Sequence, residues 1–449
     1  MKDDNFLREN NARHLWHPMG HPGDTQANPP TVITGADGSK IKDIDGHEVV
    51  DAVGGLWCVN LGYSNDKVKD AIAKQLYDLP YYSAFAGTTN PTAIEASYLV
   101  REFFAEDGIE RVFFTSGGSD SVDTCLRLAR QYHRLRGEPQ RTKFVSLKKG
   151  YHGTHFGGAS VNGNNRFRIN YEPLLSGCFH LPAPYPYRNP YDETDPAKLA
   201  QLIAKAAEDE IQFQGPNSIA AFIMEPILGA GGVIVPDASF MKLMREICDR
   251  HGILMIADEV ITGFGRTGDW SGSRHWGVKP DMMSTAKGIT SGYFPVGAAL
   301  MSGKVAEVFE NSDEAGAIFH GYTYSAHPVG AAAVIACMEE TMRINTAANA
   351  APRGTQLYEG CLKLAAKYDF VGDVRGGHGL MTGLELVSDK AAKTPMDMAT
   401  MKRIHSVMYE AGCMVRLGAN NILMSPPLVI TEVEVDQILS ALDAGFAAV

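Results

Sequence analysis

Short apolar runs alternate with amphipathic stretches through the middle of the chain. The apolar runs predict strands at 111–115, 143–147, 219–224 and 253–257. Between them, apolar residues at helical spacing predict helices at 66–78, 91–106, 120–136, 196–209 and 237–251. Strands that alternate with helices indicate an α/β fold, with a mostly parallel sheet covered on both faces by helices.

Both ends of the chain follow a different pattern, which predicts a smaller α+β domain. Residues 31–51 alternate β-branched residues with Asp-Gly and Gly-Ser turns, as small antiparallel hairpins do. Beyond an Ala-rich helix at 327–344, the pattern predicts strands within 370–387 and 413–430, a helix near 396–411 and another at the end. We therefore predict an N-terminal segment, 1–60, that joins a small domain, 327–449, and a large domain, 61–326.

Composition and charge narrow the possible partners. The chain has 449 residues, 45% of them hydrophobic, and a net charge of −11, which argues against nucleic acid or an anionic membrane. Its seven cysteines show no metal-binding spacing and indicate free thiols in a reducing compartment. The first ten residues lack the apolar core of a secretory signal, and no apolar run reaches the ~20 residues of a membrane span. We expect a cytoplasmic protein.

A candidate anion site follows the strand at 111–115. The strand runs into Ser116, Gly117, Gly118 and Ser119, and a predicted helix starts there. The first backbone N–H groups of a helix have no partner within the helix, and the helix dipole adds positive potential, so an anion binds readily. Such a glycine turn also occurs as a plain tight connection, and alone it does not decide between the two.

Two charged residues stand where apolar strands end. Asp258 ends the run GILMIA, and Lys287 follows the strand-like run at 280–286. Most lysines lie on solvated surfaces, whereas a desolvated amine has a lowered pKa and can form a Schiff base with a carbonyl. Pyridoxal phosphate (PLP) is bound by such a lysine, with a charged partner at its pyridine nitrogen. Lys287, Asp258 and the turn at 117–119 account for three parts of this one cofactor, although a buried Asp258 that only caps a turn is the alternative.

Other motifs support no competing chemistry. The segment Gly263–Gly268 matches GxGxxG, but residues 269–277 predict no helix, which a dinucleotide site requires. His152 and His155 lie three residues apart without a supporting carboxylate or cysteine, so we expect no metal. The chain contains neither GxSxG nor GxxxxGK[ST].

Taken together, these motifs resemble those of the class III aminotransferases, a group of fold-type I PLP enzymes. The resemblance implies a large domain with a mostly parallel seven-stranded sheet flanked by helices, and a smaller α+β domain. The resemblance covers nearly the whole chain. It is carried by GGLWCVNLGY, SGGSD, Tyr151-His152-Gly153, MEPI, DEVITGFGRTG, AKG and HGYTY. Lys287 follows Asp258 by 29 residues, a specific combination with the DEVITGFGRTG string. The sequence looks most similar to the amine:pyruvate, or ω-, transaminase branch.

The resemblance implies a role for each matching position. Lys287 would bind the cofactor and move the substrate proton, and Asp258 would keep the pyridine nitrogen protonated. Tyr151 would stack on the ring beside His152, and Glu225 would support the phenolic edge. The phosphate would be bound by four residues, the last two from a second subunit of a homodimer that could also form a tetramer: Gly118, Ser119, Tyr322 and Thr323.

The resemblance also implies substrate residues and an acceptor. Trp57 and Tyr151 would line an apolar pocket, and Arg416 would pair with the carboxylate of a 2-oxo acid, since a guanidinium binds a carboxylate through two parallel hydrogen bonds. Core packing of Trp57 and a surface position of Arg416 are the alternatives. Ile261 stands where ornithine-type members that use 2-oxoglutarate often have glutamine, which favours pyruvate.

The sequence leaves the reaction open in part. We expect transfer of an amino group from an amine or ω-amino acid to pyruvate. A 2-oxoglutarate-using transaminase, a decarboxylase or an aminomutase would share the cofactor site and differ only in the pocket. A PLP-binding regulator would need a DNA-binding extension, for which the residues before Trp57 are too few and contain no basic helix.

Overall fold

The structure is a computed structural model that describes residues 3–85 and 87–449. Residues 1 and 2 of the predicted N-terminal segment and residue 86 of the predicted large domain lie outside the described residues. The first part of the chain consists of short elements: α1 (Asp4–Asn10), α2 (Pro22–Ala27), β1 (Ile33–Asp37), β2 (Lys40–Asp43), β3 (Glu48–Asp51) and α3 (Gly54–Trp57).

The middle of the chain alternates strands with helices. Its elements are α4 (Asp66–Asp78), α5 (Pro91–Phe103), β4 (Ile109–Thr115), α6 (Gly118–Leu135), β5 (Lys143–Leu147), α7 (Phe156–Val161), β6 (Cys178–Leu181), α8 (Pro196–Gln214), β7 (Ile219–Met224), α9 (Phe240–His251), β8 (Leu254–Asp258), α10 (Gly272–His275), β9 (Met282–Thr285), β10 (Gly297–Ser302) and α11 (Gly303–Glu310).

Seven of these strands form one sheet in the order β4-β10-β9-β8-β7-β5-β6. All neighbours pair in parallel except β10, which runs antiparallel to both β4 and β9. Every residue of the central strands β7 and β8 is buried, as expected for parallel strands covered on both faces. The predicted mostly parallel seven-stranded sheet is confirmed.

The last part of the chain forms the remaining layers. Its elements are α12 (Pro328–Ile344), α13 (Thr346–Lys367), β11 (Val371–Arg375), β12 (Thr382–Asp389), β13 (Thr394–Pro395), α14 (Met398–Glu410), β14 (Cys413–Met414), β15 (Arg416–Gly418), β16 (Asn421–Met424) and α15 (Glu432–Ala447). Strands β11, β12, β16 and β15 form a sheet in that order, with β13 beside β12. Strand β14 pairs in parallel with β3, so the N-terminal hairpins join the C-terminal part.

Most predicted elements lie where the pattern placed them, and the exceptions have local causes. Helix α4 has the predicted bounds, with Asn65 accepting the N–H of Val68 as its N-cap. Helix α13 was not predicted, because Pro352 lies in its seventh position and interrupts the helical pattern. The prediction of no helix at 269–277 was wrong, since α10 forms one turn there; the GxGxxG residues themselves lie in turns.

The predicted division into domains stays a prediction, and the described residues form four hydrophobic clusters. One core lies on the seven-stranded sheet, and another joins the N-terminal strands to the C-terminal helices. Arg266, which is fully buried, connects the two parts: its guanidinium donates to the carbonyls of Leu380 and Pro426 and to the Asn60 side chain. Among the described residues, no helix combines the length and the apolar character needed to cross a membrane.

Candidate active site

The carboxyl ends of β4, β5, β7, β8 and β9 meet at one edge of the sheet, where α/β folds place their ligands. The connections that follow these strands bring most of the predicted cofactor residues to one place. A cavity of about 130 Å³ is lined there by Gly118, Ser119, Val122, Tyr151, His152, Gly153, Glu225, Asp258, Val260, Ile261 and Lys287.

Lys287 presents its amine to this cavity from a constrained backbone. Its φ is +49°, a left-handed conformation that costs free energy for a residue with a side chain, and it begins the short 3₁₀ turn Lys287–Ile289. Within the described part of the chain, its Nζ has no hydrogen-bond or ion-pair partner. Burial lowers the pKa of Lys287 to about 8, against the opposing charge of Asp258. Near neutral pH a larger fraction of this amine is therefore an uncharged nucleophile than for an ordinary solvated lysine.

Asp258 is fixed by a buried histidine. His152 Nδ1 lies 2.7 Å from Asp258 Oδ2, and Asp258 Oδ1 accepts the N–H of Val260 at 3.2 Å. The backbone N–H of His152 donates in turn to the Asn162 side chain. His152 Nε2 is buried without a partner in the described residues. This arrangement orients the carboxylate towards the cavity and assigns His152 a defined contact, which the sequence left open.

Glu225 holds two loops together beneath the cavity. Its carboxylate accepts the backbone N–H groups of Tyr151 and Gly229, each at 2.9 Å. Burial raises the pKa of Glu225 to about 7, although both hydrogen bonds favour the charged form. A Cβ at Gly229 would lie 2.6 Å from Ile261 Cδ1, so the absence of a side chain at position 229 lets this loop approach Ile261 closely.

The start of α6 forms an anion cradle. Gly117 provides no side-chain cap, so the first N–H groups of this 18-residue helix have no acceptor from a cap. A Cβ at Gly118 would lie 3.0 Å from Val260 and fill part of the cradle. Ser119 Oγ accepts the N–H of Thr154, and Gly153, with φ +90°, packs so closely that its Cβ would lie 2.6 Å from that oxygen.

The predicted substrate residues lie around this cavity and do not line it, apart from Tyr151. The Tyr151 ring contacts Phe167 edge-on, with centroids 4.9 Å apart. Arg416 is half-buried, and its charge acts on both Tyr151 and Lys287. Trp57 is only 3% exposed and packs in the core of the large sheet, so its side chain is a core residue in the single chain.

Tyr322 and Thr323 lie outside the cavity of their own chain. The Tyr322 hydroxyl donates to the carbonyl of Asp120, and the Thr323 carbonyl accepts from the Tyr81 hydroxyl. Their contact with a phosphate, from the second subunit that the resemblance implied, stays a prediction.

Comparisons with known proteins agree with this geometry. The family model "Aminotransferase class-III" matches residues 23–445. The putrescine–pyruvate aminotransferase of Pseudomonas aeruginosa is 36% identical over 93% of the chain and 91% of its own length. The diaminobutyrate–2-oxoglutarate transaminase of Halomonas elongata is also 36% identical, over 92% and 89%. An amine transaminase from an uncultivated Pseudomonas species, solved in its PLP-bound form, superimposes with a TM-score of 0.95 at 47% identity, over 97% and 98%.

The chain is a class III aminotransferase. It has the PLP fold-type I architecture, and its cofactor is PLP, as the sequence predicted. The cavity suits this group on structural grounds. It offers an unpaired amine for the aldehyde, a buried carboxylate for the pyridine nitrogen and an uncapped helix start for the phosphate.

Some residues of the aminotransferase site were missed in the sequence. Asn162 holds the backbone of His152 and, through its Nδ2, the carbonyl of Gly153. Val260 packs against Gly118 below the cradle. Gly153 was the one with a signal, since a glycine after Tyr-His can mark a backbone that needs positive φ. The described residues contain no group of three or more His, Cys, Asp or Glu that could hold a metal ion.

We expect Asp258→Asn to lower the pKa of Lys287 below about 8, because the charge of Asp258 raises that pKa against burial. The measurement is the pH dependence with which an amine-directed reagent labels Lys287 in the cofactor-free protein, read on the Lys287 peptide by mass spectrometry. Asp389→Asn, at an exposed acid of β12, is the matched control and should leave the value unchanged. A pKa of Lys287 that rises in Asp258→Asn contradicts the assigned effect of the Asp258 charge on this amine.

Proposed function

We propose that this aminotransferase moves an amino group from an amine or ω-amino acid to pyruvate. The observation that carries the proposal is the environment of Arg416. Its guanidinium is half-buried, has no hydrogen-bond or ion-pair partner in the described ranges, and acts electrostatically on Tyr151. A half-buried cation without a counterion loses part of its hydration, and the carboxylate of a 2-oxo acid would compensate for this loss.

The same surroundings suit the amine half of the reaction. Tyr151 and Phe167 provide aromatic surface beside the cavity, and Arg416 has a flexible stem that can turn away from an uncharged substituent. One site can in this way accept a carboxylate in one half-reaction and an apolar amine in the other. Pyruvate has only one carboxylate, which one arginine can pair. Arg166, whose charge also acts on Arg416, donates instead to the carbonyl of Met19.

PLP, when bound, withdraws electrons from the substrate carbon that loses its proton. Asp258, oriented by His152, would keep the pyridine nitrogen protonated so that this withdrawal is strong. Lys287 Nζ, with its lowered pKa, would accept the proton from the substrate carbon and then donate it to a carbon of the cofactor. Glu225 would hold the loops of Tyr151 and Gly229 against the ring. Gly118 and Ser119 would anchor the phosphate.

We also propose that the active enzyme is a homodimer with shared sites. Beside the segment of Tyr322 and Thr323, an apolar groove of about 910 Å³ is lined in part by Phe85, Ile94 and Phe319. Phe319 is 96% exposed in the single chain, and a large apolar patch of this kind is typical of an interface. A second copy placed there would bring its own Tyr322 and Thr323 towards the anion cradle. The cytoplasmic location stays a prediction from the cysteines.

An acceptor screen tests the proposed reaction. With β-alanine, taurine, a polyamine or an aralkyl amine as donor, we expect alanine to form from pyruvate faster than glutamate forms from 2-oxoglutarate. Lys287→Ala should form neither product, because it lacks the amine that binds the cofactor and moves the proton. Glutamate as the main product would show that 2-oxoglutarate, and not pyruvate, is the acceptor. Released CO₂ would indicate a decarboxylase.

Arg416→Ala should raise the KM for pyruvate and leave the KM for an uncharged aralkyl amine nearly unchanged. Loss of a charge-assisted pair with a carboxylate costs on the order of 2–5 kcal/mol. Steady-state kinetics with each substrate varied in turn gives the two KM values. Arg403→Ala, at an exposed arginine on α14, is the matched control. Equal losses for both substrates would remove Arg416 from acceptor binding.

Mixing inactive variants tests the shared site. Thr323→Asp should repel the phosphate across the interface, and Lys287→Ala removes the amine. In a hybrid dimer of the two variants, one site receives intact Lys287 from one chain and intact Thr323 from the other. If chains pair at random, about half of the dimers are hybrids with one intact site each, so refolding the mixture should restore about a quarter of wild-type activity. Lys287→Ala mixed with Asp258→Asn is the control, because both residues line one chain's cavity, and it should restore nothing. No recovery in the first mixture would place Thr323 outside its partner's site.

A further inference from the structure

Arg416 lies on an element that can do little to fix its own position. It is the first residue of β15, a three-residue strand at the edge of its sheet. Among the described strands it pairs with β16 alone, with Arg416 opposite Leu423 and Gly418 opposite Asn421. The turn between the two strands contains Ala419 at φ +55°. A short edge hairpin needs outside contacts to hold one register and one direction.

Two buried charges hold the tip of this hairpin. Arg375 Nη2 donates to Asn421 Oδ1 at 2.5 Å. Asn420 Nδ2 donates to the carbonyl of Leu386 at 2.8 Å and to Glu385 Oε1 at 3.3 Å. Arg375 and Glu385 belong to β11 and β12, so the tip is tied to the two strands on the far side of β16 and not only to its pairing partner.

The same two charges are held from the large-sheet side of the molecule. The Tyr185 hydroxyl donates to Glu385 Oε2 at 2.6 Å and accepts from Arg375 Nη1 at 2.5 Å. Arg375 Nε donates to the carbonyl of Gly232 at 2.7 Å, and Arg188 Nε donates to Glu385 Oε1 at 2.6 Å. The hydroxyl of Tyr185 thus bridges the arginine and the glutamate, and its loss would leave both with an unmet hydrogen bond.

This network also reaches the loop that carries Tyr151. The Lys149 ammonium lies 5.4 Å from the centroid of the Tyr185 ring, and only Gly150 separates Lys149 from Tyr151 in the sequence. Tyr185, Arg375 and Glu385 are 2%, 7% and 3% exposed. Charge-assisted hydrogen bonds in such a dry environment are strong and strongly directional, so they fix geometry and do not merely add contact.

We propose that Tyr185, Arg375 and Glu385 are positioning residues that aim Arg416 at the acceptor carboxylate by clamping the tip of its hairpin. The inference rests on the proposed role of Arg416 and goes beyond it, because none of the three lines the cofactor cavity. The clamp acts on carboxylate binding, since Asp258, Lys287 and the start of α6 lie on other elements, and it reaches the loop of Tyr151 through the ring contact of Lys149.

The variant Tyr185→Phe, tested as the holoenzyme, removes the hydroxyl that bridges Arg375 and Glu385. We expect the KM for pyruvate and the inhibition constant of propanoate, an unreactive carboxylate of similar size, both to rise about tenfold, as for the loss of hydrogen bonds to charged groups. The KM for an uncharged aralkyl amine should stay within a factor of two or so, a small change on the same scale. In an Arg416→Ala background, Tyr185→Phe should have no further effect on pyruvate or propanoate, because there is no guanidinium left to aim.

A second variant and a control keep the result decisive. Asn421→Ala breaks the same clamp at the hairpin tip and should reproduce the split between carboxylate and amine, even if Tyr185→Phe folds poorly. Ser388→Ala, on β12 at its exposed end, should change neither KM.

Two outcomes overturn the inference in different ways. A pyruvate KM that responds to Arg416→Ala but not to Tyr185→Phe or Asn421→Ala refutes the clamp and leaves the proposed function intact. Losses that are equal for pyruvate and amine, or that persist in the Arg416→Ala background, show a general structural role and also refute it. A pyruvate KM that does not respond to Arg416→Ala refutes the proposed role of Arg416 itself, and the clamp with it.

Discussion

The site depends on placing a lysine amine among carboxylates in a buried cavity. Burial favours the neutral amine of Lys287, whereas the charges of Asp258 and Glu225 favour its protonated form, and the balance lowers its pKa to about 8. That balance requires fixed distances, which the parallel pairing of β7, β8 and β9 provides. Each strand delivers its residue at the same edge, so the chemistry follows from the register of the sheet. The strained backbone of Lys287 is stable only because its surroundings hold it.

The cofactor residues and the proposed substrate residues differ in how they are supported. Glu225, Asp258 and Lys287 end or follow fully buried strands of the large sheet, and Gly118 begins an 18-residue helix. Arg416 lies on a three-residue edge strand. The rigid strands of the large sheet suit the cofactor chemistry that is common to the family. Short edge elements around the cavity can vary in geometry without disturbing this sheet. Relatives that use pyruvate and 2-oxoglutarate at similar identity agree with such a division.

Two buried arginines join the halves of the molecule by different contacts. Arg266 bonds to carbonyls and to the Asn60 amide, and burial without a carboxylate lowers its pKa to about 9. Arg375 donates to Tyr185 and Asn421 and also to one charged partner, the carboxylate of Asp373. Both cross between the large sheet and the C-terminal elements. Because unmet hydrogen bonds are costly in a dry interior, these contacts favour one relative position of the two halves.

The sequence by itself determined the local chemistry and most elements. The apolar runs predicted β4, β5, β7 and β8 and indicated β9, and the motif around Asp258 and Lys287 predicted the family and its cofactor, because both depend on neighbours in the chain. It did not reveal α13, whose Pro352 breaks the pattern, or the antiparallel β10, whose position depends on pairing with strands far away. Only the tertiary structure decided that His152 holds Asp258, that Trp57 packs in the core, that Tyr322 lies outside its own cavity, and that Tyr185 and Arg375 reach the hairpin of Arg416. Those contacts join residues up to about two hundred positions apart, and burial and packing, which no local pattern encodes, select them.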